Sequence, residues 1–308
     1  MTLDHVKAGL PASLSCSACR GSMHYEFQIG DVNRRISEEQ FFYFRCTACG
    51  LMSLANVPED LGRYYPEGYA LIPKTDAAIE AGLQHEQYKI DLVKRYASMG
   101  RLVEIGPSWG AFSMLASRAG FTVQAIEMNR ECCEFINHRL GLQALNSRDE
   151  IATLRELPSP DVIVMWHVIE HLRDPWALIG QAVEKLAPGG ILVLATPNPA
   201  AVQFRLFGRF WTHVDAPRHV HLIPITLMRQ KLSELGLQEL LMTTRDEGSL
   251  GWNDFGWSFS LAGFVPGFWP KRILRMAGKI LAKLAAPFES REGTGSAYTA
   301  IFRKQPGQ

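Results

Sequence analysis

The sequence predicts a doubly wound α/β domain with a mostly parallel sheet, preceded by a small cysteine-rich module. From about residue 100 onward, short apolar runs alternate with helical patterns, and this order produces a parallel sheet with helices on both faces. Before residue 58, two Cys-x-x-Cys pairs are separated by alternating segments typical of short strands. We therefore assign residues 1–57 to the module and its N-terminal tail, 58–98 to a linker and lead-in helix, and 99–308 to the α/β domain.

Six strands are predicted from the apolar runs of the α/β domain. They cover residues 101–105, 122–126, 161–166, 191–196, 237–244 and 296–303. Two stretches, 198–223 and 246–292, fit no sheet element. Because insertions of a doubly wound fold lie above the carboxyl ends of the strands, where ligands bind, we assign both stretches to the substrate side.

Composition excludes several classes of protein. The 308 residues are 47% hydrophobic and 20% charged, with a formal net charge of +1, so no long-range field attracts nucleic acid. The N-terminus has no apolar run typical of a signal peptide, and no segment approaches the ~18 apolar residues of a membrane helix. These features, with the cysteine pattern, predict a protein of the reducing cytoplasm.

Four of the six cysteines have the spacing of a metal site. Cys16 and Cys19 form one pair, and Cys46 and Cys49 form another, with 26 residues between the pairs. Four thiolates give a closed tetrahedral site without an open position for chemistry. We predict a structural zinc ribbon, although iron also fits four thiolates. A module of this length has too small a core to fold without a metal.

A glycine turn follows the first strand of the α/β domain. Gly106 permits a backbone conformation closed to other residues, and Gly110 lets a ligand approach the positive end of the next helix. A dinucleotide site would need G-x-G-x-x-G, but here the glycines are four apart and Pro107 lacks an amide hydrogen. The turn therefore suits a ligand without a pyrophosphate. Glu127, at the end of the second strand, is placed to accept hydrogen bonds from ribose hydroxyls.

These segments, with the Pro-Gly-Gly turn of 186–190, resemble the class I S-adenosylmethionine-dependent methyltransferases. The resemblance extends to 166–175, which is similar to the E-H-x-x-D-P stretch of the small-molecule branch. It implies a Rossmann-like seven-stranded sheet and S-adenosylmethionine (SAM) as cofactor. The cofactor-binding residues that it implies are Glu104, Gly106, Pro107, Ser108, Gly110, Glu127, Met128, Asp149 and His167.

Two histidine-containing segments are candidates for catalysis. Glu170 and His171 follow the fourth strand, where His171 would act as a base if the acceptor must lose a proton; alternatively, both side chains cap the next helix or bond to backbone. Residues 211–222 resemble the D-P-P-R-H segment of a bacterial methyltransferase subgroup. There His219 or His221 would serve as base or substrate ligand, bind a metal, or only bond to backbone.

The C-terminal insertion has a basic amphipathic segment. An aromatic-rich stretch, predicted as a loop, precedes a helix whose apolar positions include Ile273, Ile280 and Leu284. Residues 252–284 therefore form either a lid packed on the sheet, which we favour, or a peripheral contact with the inner membrane face.

The leading hypothesis is O-methylation of a small molecule, a sugar, or a glycan or lipid intermediate of the cell envelope. The module and the Tyr-rich linker resemble the N-terminal part of bacterial methyltransferases acting on such molecules, and in the deoxysugar C-methyltransferases this module helps to cover the substrate. An rRNA guanine methyltransferase with a zinc ribbon is disfavoured by the near-neutral charge. A SAM-binding protein without catalysis is disfavoured by the intact glycine turn and Glu170-His171. The acceptor and the oligomeric state are not predicted.

Overall fold

Two β-sheets and nine α-helices make up the part of the chain that the computed structural model describes, residues 14–66, 68–263, 265 and 268–306. The strands are β1 Leu14–Ser15, β2 Ser22–Gly30, β3 Gln40–Cys46, β4 Met52–Leu54, β5 Gly100–Ile105, β6 Phe121–Glu127, β7 Gln143–Asn146, β8 Val162–Trp166, β9 Ile191–Pro197, β10 His221–Leu222, β11 Leu237–Thr243 and β12 Ala297–Lys304. The helices are α1 Asp76–Val93, α2 Ala111–Arg118, α3 Arg130–His138, α4 Glu150–Glu156, α5 Pro175–Lys185, α6 Val202–Phe207, α7 Ile225–Glu234, α8 Glu247–Gly263 and α9 Phe268–Glu289.

The large sheet has seven strands in the order β11-β12-β9-β8-β5-β6-β7. The pairs among β9, β8, β5, β6 and β7 are parallel, whereas β12 runs antiparallel to both of its neighbours. The chain crosses over between β5 and β8, so the ends of these two adjacent strands form a switch point where ligands bind. The predicted doubly wound, mostly parallel seven-stranded sheet is confirmed.

Helices cover both faces of this sheet because apolar side chains alternate along its strands. On β5, Val103 packs in one core with α4, α5 and α7. Its neighbour Leu102 packs in a second core with α1 and α2. This alternation follows from the two-residue period of a strand.

The small sheet joins the N-terminal module to the α/β domain. Its order is β1-β2-β3-β4-β10, in which β10 pairs antiparallel with β4 through His221 and Ser53. The prediction that 198–223 contains no sheet element is wrong for His221 and Leu222, which form β10. A two-residue strand is too short to show an alternating pattern in the sequence. Residues 1–13 of the predicted tail lie outside the described residues.

Two further elements differ from the sequence prediction. β7 is a four-residue edge strand that was not predicted individually, since only its residues Ala144 and Leu145 are apolar. Residues 252–269 were predicted as an aromatic loop, but those up to Gly263 lie in helix α8, which begins at Glu247. Phe264, part of the same aromatic stretch, lies outside the described residues.

Glycine in α8 explains why the sequence did not predict this helix. Glycines lower helix propensity, but a Cβ at Gly256 would lie 1.9 Å from Oε1 of Gln203. Close packing on α6 therefore requires glycine at this position, so tertiary contacts outweigh the local preference.

Candidate functional site

The glycine turn between β5 and α2 has a backbone that other residues adopt only with strain. Gly106 has φ +70° and Gly110 has φ +87°. A Cβ at Gly106 would lie 2.6 Å from Val168, and one at Gly110 would lie 2.7 Å from Ile136. Both positions therefore require glycine for conformation and for space. The Pro107 carbonyl accepts a hydrogen bond from the Gly110 amide at 3.0 Å and closes the turn.

The Glu127 carboxylate is fixed beside this turn at the end of β6. One oxygen accepts a hydrogen bond from the Ser108 amide at 3.0 Å, and the other accepts one from the Asn129 amide at 2.7 Å. Burial raises the pKa of Glu127, although these amides lower it in part. A carboxylate has about four acceptor positions, so two oxygens held in this way retain capacity for ligand hydroxyls.

Three other residues of the predicted cofactor set have different surroundings. Glu104 is buried and accepts a hydrogen bond from the Ser113 hydroxyl, and burial raises its pKa to about 7. Asp149 caps α4 through the Ala152 amide at 2.9 Å. The Met128 side chain is exposed next to Glu127. Glu104 therefore stabilises the start of α2 through Ser113, and Asp149 serves as the N-cap of α4.

Glu170 lies in the turn after β8, fully buried between two strand ends. Its carboxylate lies 3.2 Å from Nδ1 of His167 and accepts a hydrogen bond from the Thr196 hydroxyl at 3.1 Å. Burial raises the pKa of Glu170, but the hydrogen bond from His167 and the surrounding imidazoles outweigh burial and lower it to about 2. Glu170 is therefore ionised at neutral pH and gives the site a buried negative charge.

His171 and His219 approach each other above this carboxylate, with ring centroids 4.6 Å apart. Nδ1 of His219 lies 2.8 Å from the His213 carbonyl, and Nδ1 of His171 lies 3.1 Å from the Arg218 carbonyl. These carbonyls favour the tautomers with Nδ1 protonated. No hydrogen bond to Nε2 of either ring is made within the described parts of the chain.

Burial lowers the pKa of His171 to about 4, with a further contribution from His219. The His171 ring is therefore neutral at pH 7. One donor atom from each of Glu170, His171 and His219 lies within 4.8 Å of the other two. This geometry brings together three of the four predicted catalytic side chains.

His221, the fourth, is placed elsewhere. Its Nδ1 lies 2.8 Å from the Ser53 hydroxyl and its Nε2 lies 3.2 Å from the Arg173 carbonyl. Both ring nitrogens are thus used in joining β10 to the small sheet and to the loop after β8. In this structure His221 stabilises the junction and does not face the other three side chains.

A cavity of about 550 Å³ opens above the carboxyl ends of β8 and β9, and we refer to it as the acceptor cavity. This volume is typical of sites for small molecules. Its lining includes residues from the small module, the linker, the turn after β8, the 211–222 segment, α8 and α9: Asn33, Arg34, Tyr69, His167, Glu170, His171, His213, His219, Trp252, Phe255, Phe259, Lys271 and Arg275. The predicted substrate-side stretches do contribute to this cavity.

Several lining residues were not predicted individually. Asn33 and Arg34 follow β2 in the small module, and Tyr69 comes from the linker. The linker also supplies Tyr65, whose hydroxyl lies 2.9 Å from Nδ1 of His171. The clustering of tyrosines in residues 64–69 was the available signal, but sequence spacing does not reveal which strand ends they reach.

The wall and mouth of the acceptor cavity differ in character. Trp252 of α8 contacts His167 with ring centroids 4.6 Å apart, and Phe255 stacks on Phe259 at 4.1 Å. At the mouth, the Arg275 guanidinium lies 4.3 Å from the Phe259 ring centroid, and Arg34 lies 4.8 Å from that of Tyr69. The cavity therefore combines an aromatic wall with cationic groups.

The four cysteines of the N-terminal module converge at one point. Sγ of Cys16 lies 3.5 Å from Sγ of Cys49, and Sγ of Cys19 lies 3.4 Å from Sγ of Cys46. These distances are too long for disulfides, in which the sulfurs are about 2.05 Å apart. They approach the roughly 3.8 Å edge of a tetrahedron with metal–sulfur distances of about 2.3 Å.

Both cysteine pairs have the same backbone hydrogen bonds. The Cys16 amide donates to the Gly21 carbonyl at 2.9 Å, and the Cys46 amide donates to the Leu51 carbonyl at 2.8 Å. Two matching turns thus present four thiols to one point, which is the donor set of a closed zinc site.

No helix within the described ranges is both long and apolar enough to cross a membrane.

A family model described as a methyltransferase domain matches residues 82–241, just over half of the chain. The match begins in α1, includes the glycine turn and the Glu170–His171 turn, and ends in β11. It leaves out the cysteine module and the two C-terminal helices.

Curated relatives include ubiquinone biosynthesis O-methyltransferases. The protein from Caulobacter sp. strain K31 is 31% identical over 103 residues, which cover 32% of this chain and 41% of that relative. The protein from Cereibacter sphaeroides strain KD131 is 26% identical over 169 residues, which cover 53% of this chain and 68% of that relative. The chain thus spans less than half the length of the first of these relatives.

Solved structures with a similar fold include a SAM-dependent methyltransferase from Archaeoglobus fulgidus, with a TM-score of 0.50 and 18% identity, covering 73% of this chain and 94% of that one. An O-methyltransferase family protein from Burkholderia thailandensis also has a TM-score of 0.50, with 15% identity, covering 81% of this chain and 64% of that one. At this identity the likeness concerns the fold alone.

Proposed function

This chain belongs to the methyltransferase-domain family, and we propose that it transfers the methyl group of SAM to a hydroxyl of a small acceptor molecule in the acceptor cavity. The observation that carries this proposal is the position of His171 and His219, which line the acceptor cavity above the carboxyl ends of β8 and β9. O-methylation is the activity named for the curated relatives.

The residues at the end of β5 and β6 fit SAM. Gly106 and Gly110 keep the turn open to a ligand, and the first turn of α2 has no side-chain cap that would compete for its amides. Those amides suit a carboxylate, and the two fixed oxygens of Glu127 suit the ribose hydroxyls. When bound, SAM supplies an electrophilic methyl carbon, to which the acceptor oxygen bonds as the carbon–sulfur bond breaks and leaves S-adenosylhomocysteine.

A hydroxyl acceptor must also lose its proton, and we assign that proton to Nε2 of His219. The hydrogen bond from Nδ1 of His219 to the His213 carbonyl leaves the Nε2 lone pair available. The ionised Glu170 carboxylate stabilises the imidazolium that forms. His171, neutral at pH 7, orients this pair through its contact with His219.

The mouth of the acceptor cavity favours an acceptor with a negatively charged group. Arg34, Lys271 and Arg275 line it, and in the described residues none of the three forms a salt bridge. Within the described residues, the two acids of the cavity, Glu170 and Asp215, contact His167 and Arg218 and form no salt bridge with these three cations. An acceptor could bind with its phosphate or carboxylate at the mouth and a ring against Trp252 and Phe255. This pose would place its hydroxyl near His219.

The test measures transfer of tritium from methyl-labelled SAM into a cell extract fractionated into RNA, lipid, glycan and small anionic molecules. We expect label among the anionic small molecules or glycolipids. Label confined to RNA, or S-adenosylhomocysteine binding by calorimetry without label in any fraction, would overturn the proposal.

With the labelled acceptor, His219→Asn separates the base from a structural role. Loss of a general base lowers kcat by about 10²- to 10⁴-fold and removes the corresponding limb of the pH profile. His221→Asn is the matched control, because it replaces a buried histidine of the same segment outside the cavity. Equal losses in both variants, or an absolute requirement for an added divalent cation, would contradict the assignment of His219 as base.

We also propose that Cys16, Cys19, Cys46 and Cys49 bind one structural zinc ion. The convergence of the four sulfurs and the matching turns support this proposal. The metal would stabilise the module that supplies Asn33 and Arg34 to the cavity. A closed set of four thiolates leaves no position for a substrate.

A further inference from the structure

Helix α9 exposes a continuous apolar stripe to solvent. The stripe consists of five side chains at helical spacing, Ile273, Met276, Ile280, Leu284 and Phe288. Their exposed fractions run from 56% for Phe288 to 67% for Leu284. With a rise of about 1.5 Å per residue, the stripe is roughly 22 Å long. Large apolar residues in such an array on a surface mark an interaction site.

The opposite face of α9 holds the helix to the rest of the protein through small residues. Gly278 and Ala282 are buried, and a Cβ at Gly278 would lie 2.6 Å from the Ser258 Cα of α8. Glu289 is buried and accepts hydrogen bonds from Trp257 and Gln203. The helix is therefore firmly seated with its small residues inward and its large apolar residues outward, the reverse of a lid that packs its apolar face on the sheet.

Cationic side chains run along one edge of the stripe. Arg272, Lys279 and Lys283 are spaced seven and four residues apart, so they share one line along the helix beside Ile273 and Ile280. The sequence of α9 includes two further cations, and its one acidic residue is the buried Glu289. The exposed surface thus pairs an apolar strip with positive charge.

We propose that α9 docks this protein on the surface of an anionic phospholipid bilayer, with the helix axis in the plane of the membrane. The apolar stripe would enter the boundary between headgroups and acyl chains, and Arg272, Lys279 and Lys283 would contact anionic headgroups. A second copy of the chain is a poorer partner, because pairing two α9 helices would bring their cations together without an acid on the exposed face to neutralise them.

Docking would place α9 between the bilayer and the acceptor cavity. Lys271 and Arg275, on the same helix, line that cavity from the inward face, since they precede the buried Gly278 by seven and three residues. Docking itself depends only on α9 and is measured without catalysis.

The experiment is co-sedimentation of the full-length, metal-loaded protein with vesicles of phosphatidylcholine, with or without about 30% phosphatidylglycerol. We expect binding to the anionic vesicles that weakens as salt is raised. The variant Ile273→Ser/Ile280→Ser/Leu284→Ser should bind at least about tenfold more weakly. Lys279→Glu/Lys283→Glu should lose the preference for phosphatidylglycerol.

Met99→Ser is the matched control, since Met99 is 71% exposed at a site remote from α9 in sequence, and it should bind like the unmodified protein. Circular dichroism and thermal unfolding check that each variant is folded. Unchanged binding of the triple serine variant, or no binding to anionic vesicles, would overturn the proposal. The proposal would also be overturned if sedimentation velocity shows that the unmodified protein is a dimer and the triple serine variant a monomer, while neither binds vesicles.

Discussion

The Arg218 guanidinium donates a hydrogen bond to the Asp31 carboxylate at 2.7 Å, and both side chains are fully buried. Asp31 follows β2 of the small sheet, whereas Arg218 lies 187 residues later, next to His219. Arg218 also binds Asp215 at 2.8 Å, so one buried cation connects a carboxylate of the small module with one of its own segment. The contact fixes the small module against the segment that supplies His219.

Breaking this contact should destabilise the whole protein. Asp31→Asn leaves Arg218 with one carboxylate in place of two, and loss of a buried ionic partner costs about 3 kcal/mol of unfolding free energy. Urea unfolding at pH 7 measures this loss. Glu26→Gln, which removes the partly exposed pair with Arg45, is the control and should cost less than about 1 kcal/mol. If Asp31→Asn lowers the unfolding free energy by no more than Glu26→Gln does, the buried contact contributes little to stability.

Gly106→Ala should weaken SAM binding by more than tenfold. Alanine would have to adopt φ +70° at this position, and its Cβ would lie 2.6 Å from Val168, so the turn must shift from its position beside Glu127. Gly120→Ala is a matched control, because Gly120 has φ +98° but nothing within 4 Å of an added Cβ. It should lose about 1 kcal/mol of stability and keep its affinity. Calorimetric titration with S-adenosylhomocysteine distinguishes the two, and similar affinities would contradict this account of the turn.

Local motifs predicted the parts of the site that depend on neighbouring residues. The Gly106–Gly110 turn and the Cys16–Cys19 and Cys46–Cys49 pairs are short, and their geometry follows from backbone conformation and thiolate chemistry. The alternation of apolar runs likewise predicted the central sheet, because a parallel strand buried on both faces must be apolar along its length.

Contacts between distant segments could not be predicted in this way. Nothing near Asp31 in the sequence indicates a partner 187 residues away, and nothing at His221 indicates that β10 pairs with β4. The exposure of Ile280 was also hidden, since an amphipathic pattern shows that a helix has an apolar face but not what that face meets.

One zinc ion per chain is expected in the purified protein, and Cys19→Ser should reduce this stoichiometry. Loss of one of four thiolates opens the site and lowers the melting temperature, since binding of the metal is part of the folding free energy of the module. Mass spectrometry of the metal content and thermal unfolding measure the two effects. Cys132→Ser is the control, because this buried cysteine lies on α3, outside the cluster. Retention of a full zinc ion by Cys19→Ser would contradict the assignment of the four ligands.

Stability should fall as the pH is lowered from 7 to 5, and His213 should account for a large part of that fall. Burial lowers the pKa of His213 from 6.5 to about 3, while its Nε2 bonds the Trp252 carbonyl. Between these two pKa values the unfolded chain binds a proton that the folded protein excludes, so acidification favours unfolding, by roughly 2 kcal/mol at pH 5 for one such histidine.

The variant His213→Gln tests this contribution, because its side-chain amide can still bond the Trp252 carbonyl but does not titrate. Its loss of unfolding free energy between pH 7 and pH 5 should be roughly 2 kcal/mol smaller than that of the unmodified protein. His171, whose pKa burial lowers to about 4, continues to titrate in the variant and leaves a residual dependence of the same sign. The exposed His138→Gln is the control, and identical pH dependences for all three proteins would mean that His213 is not held neutral by burial.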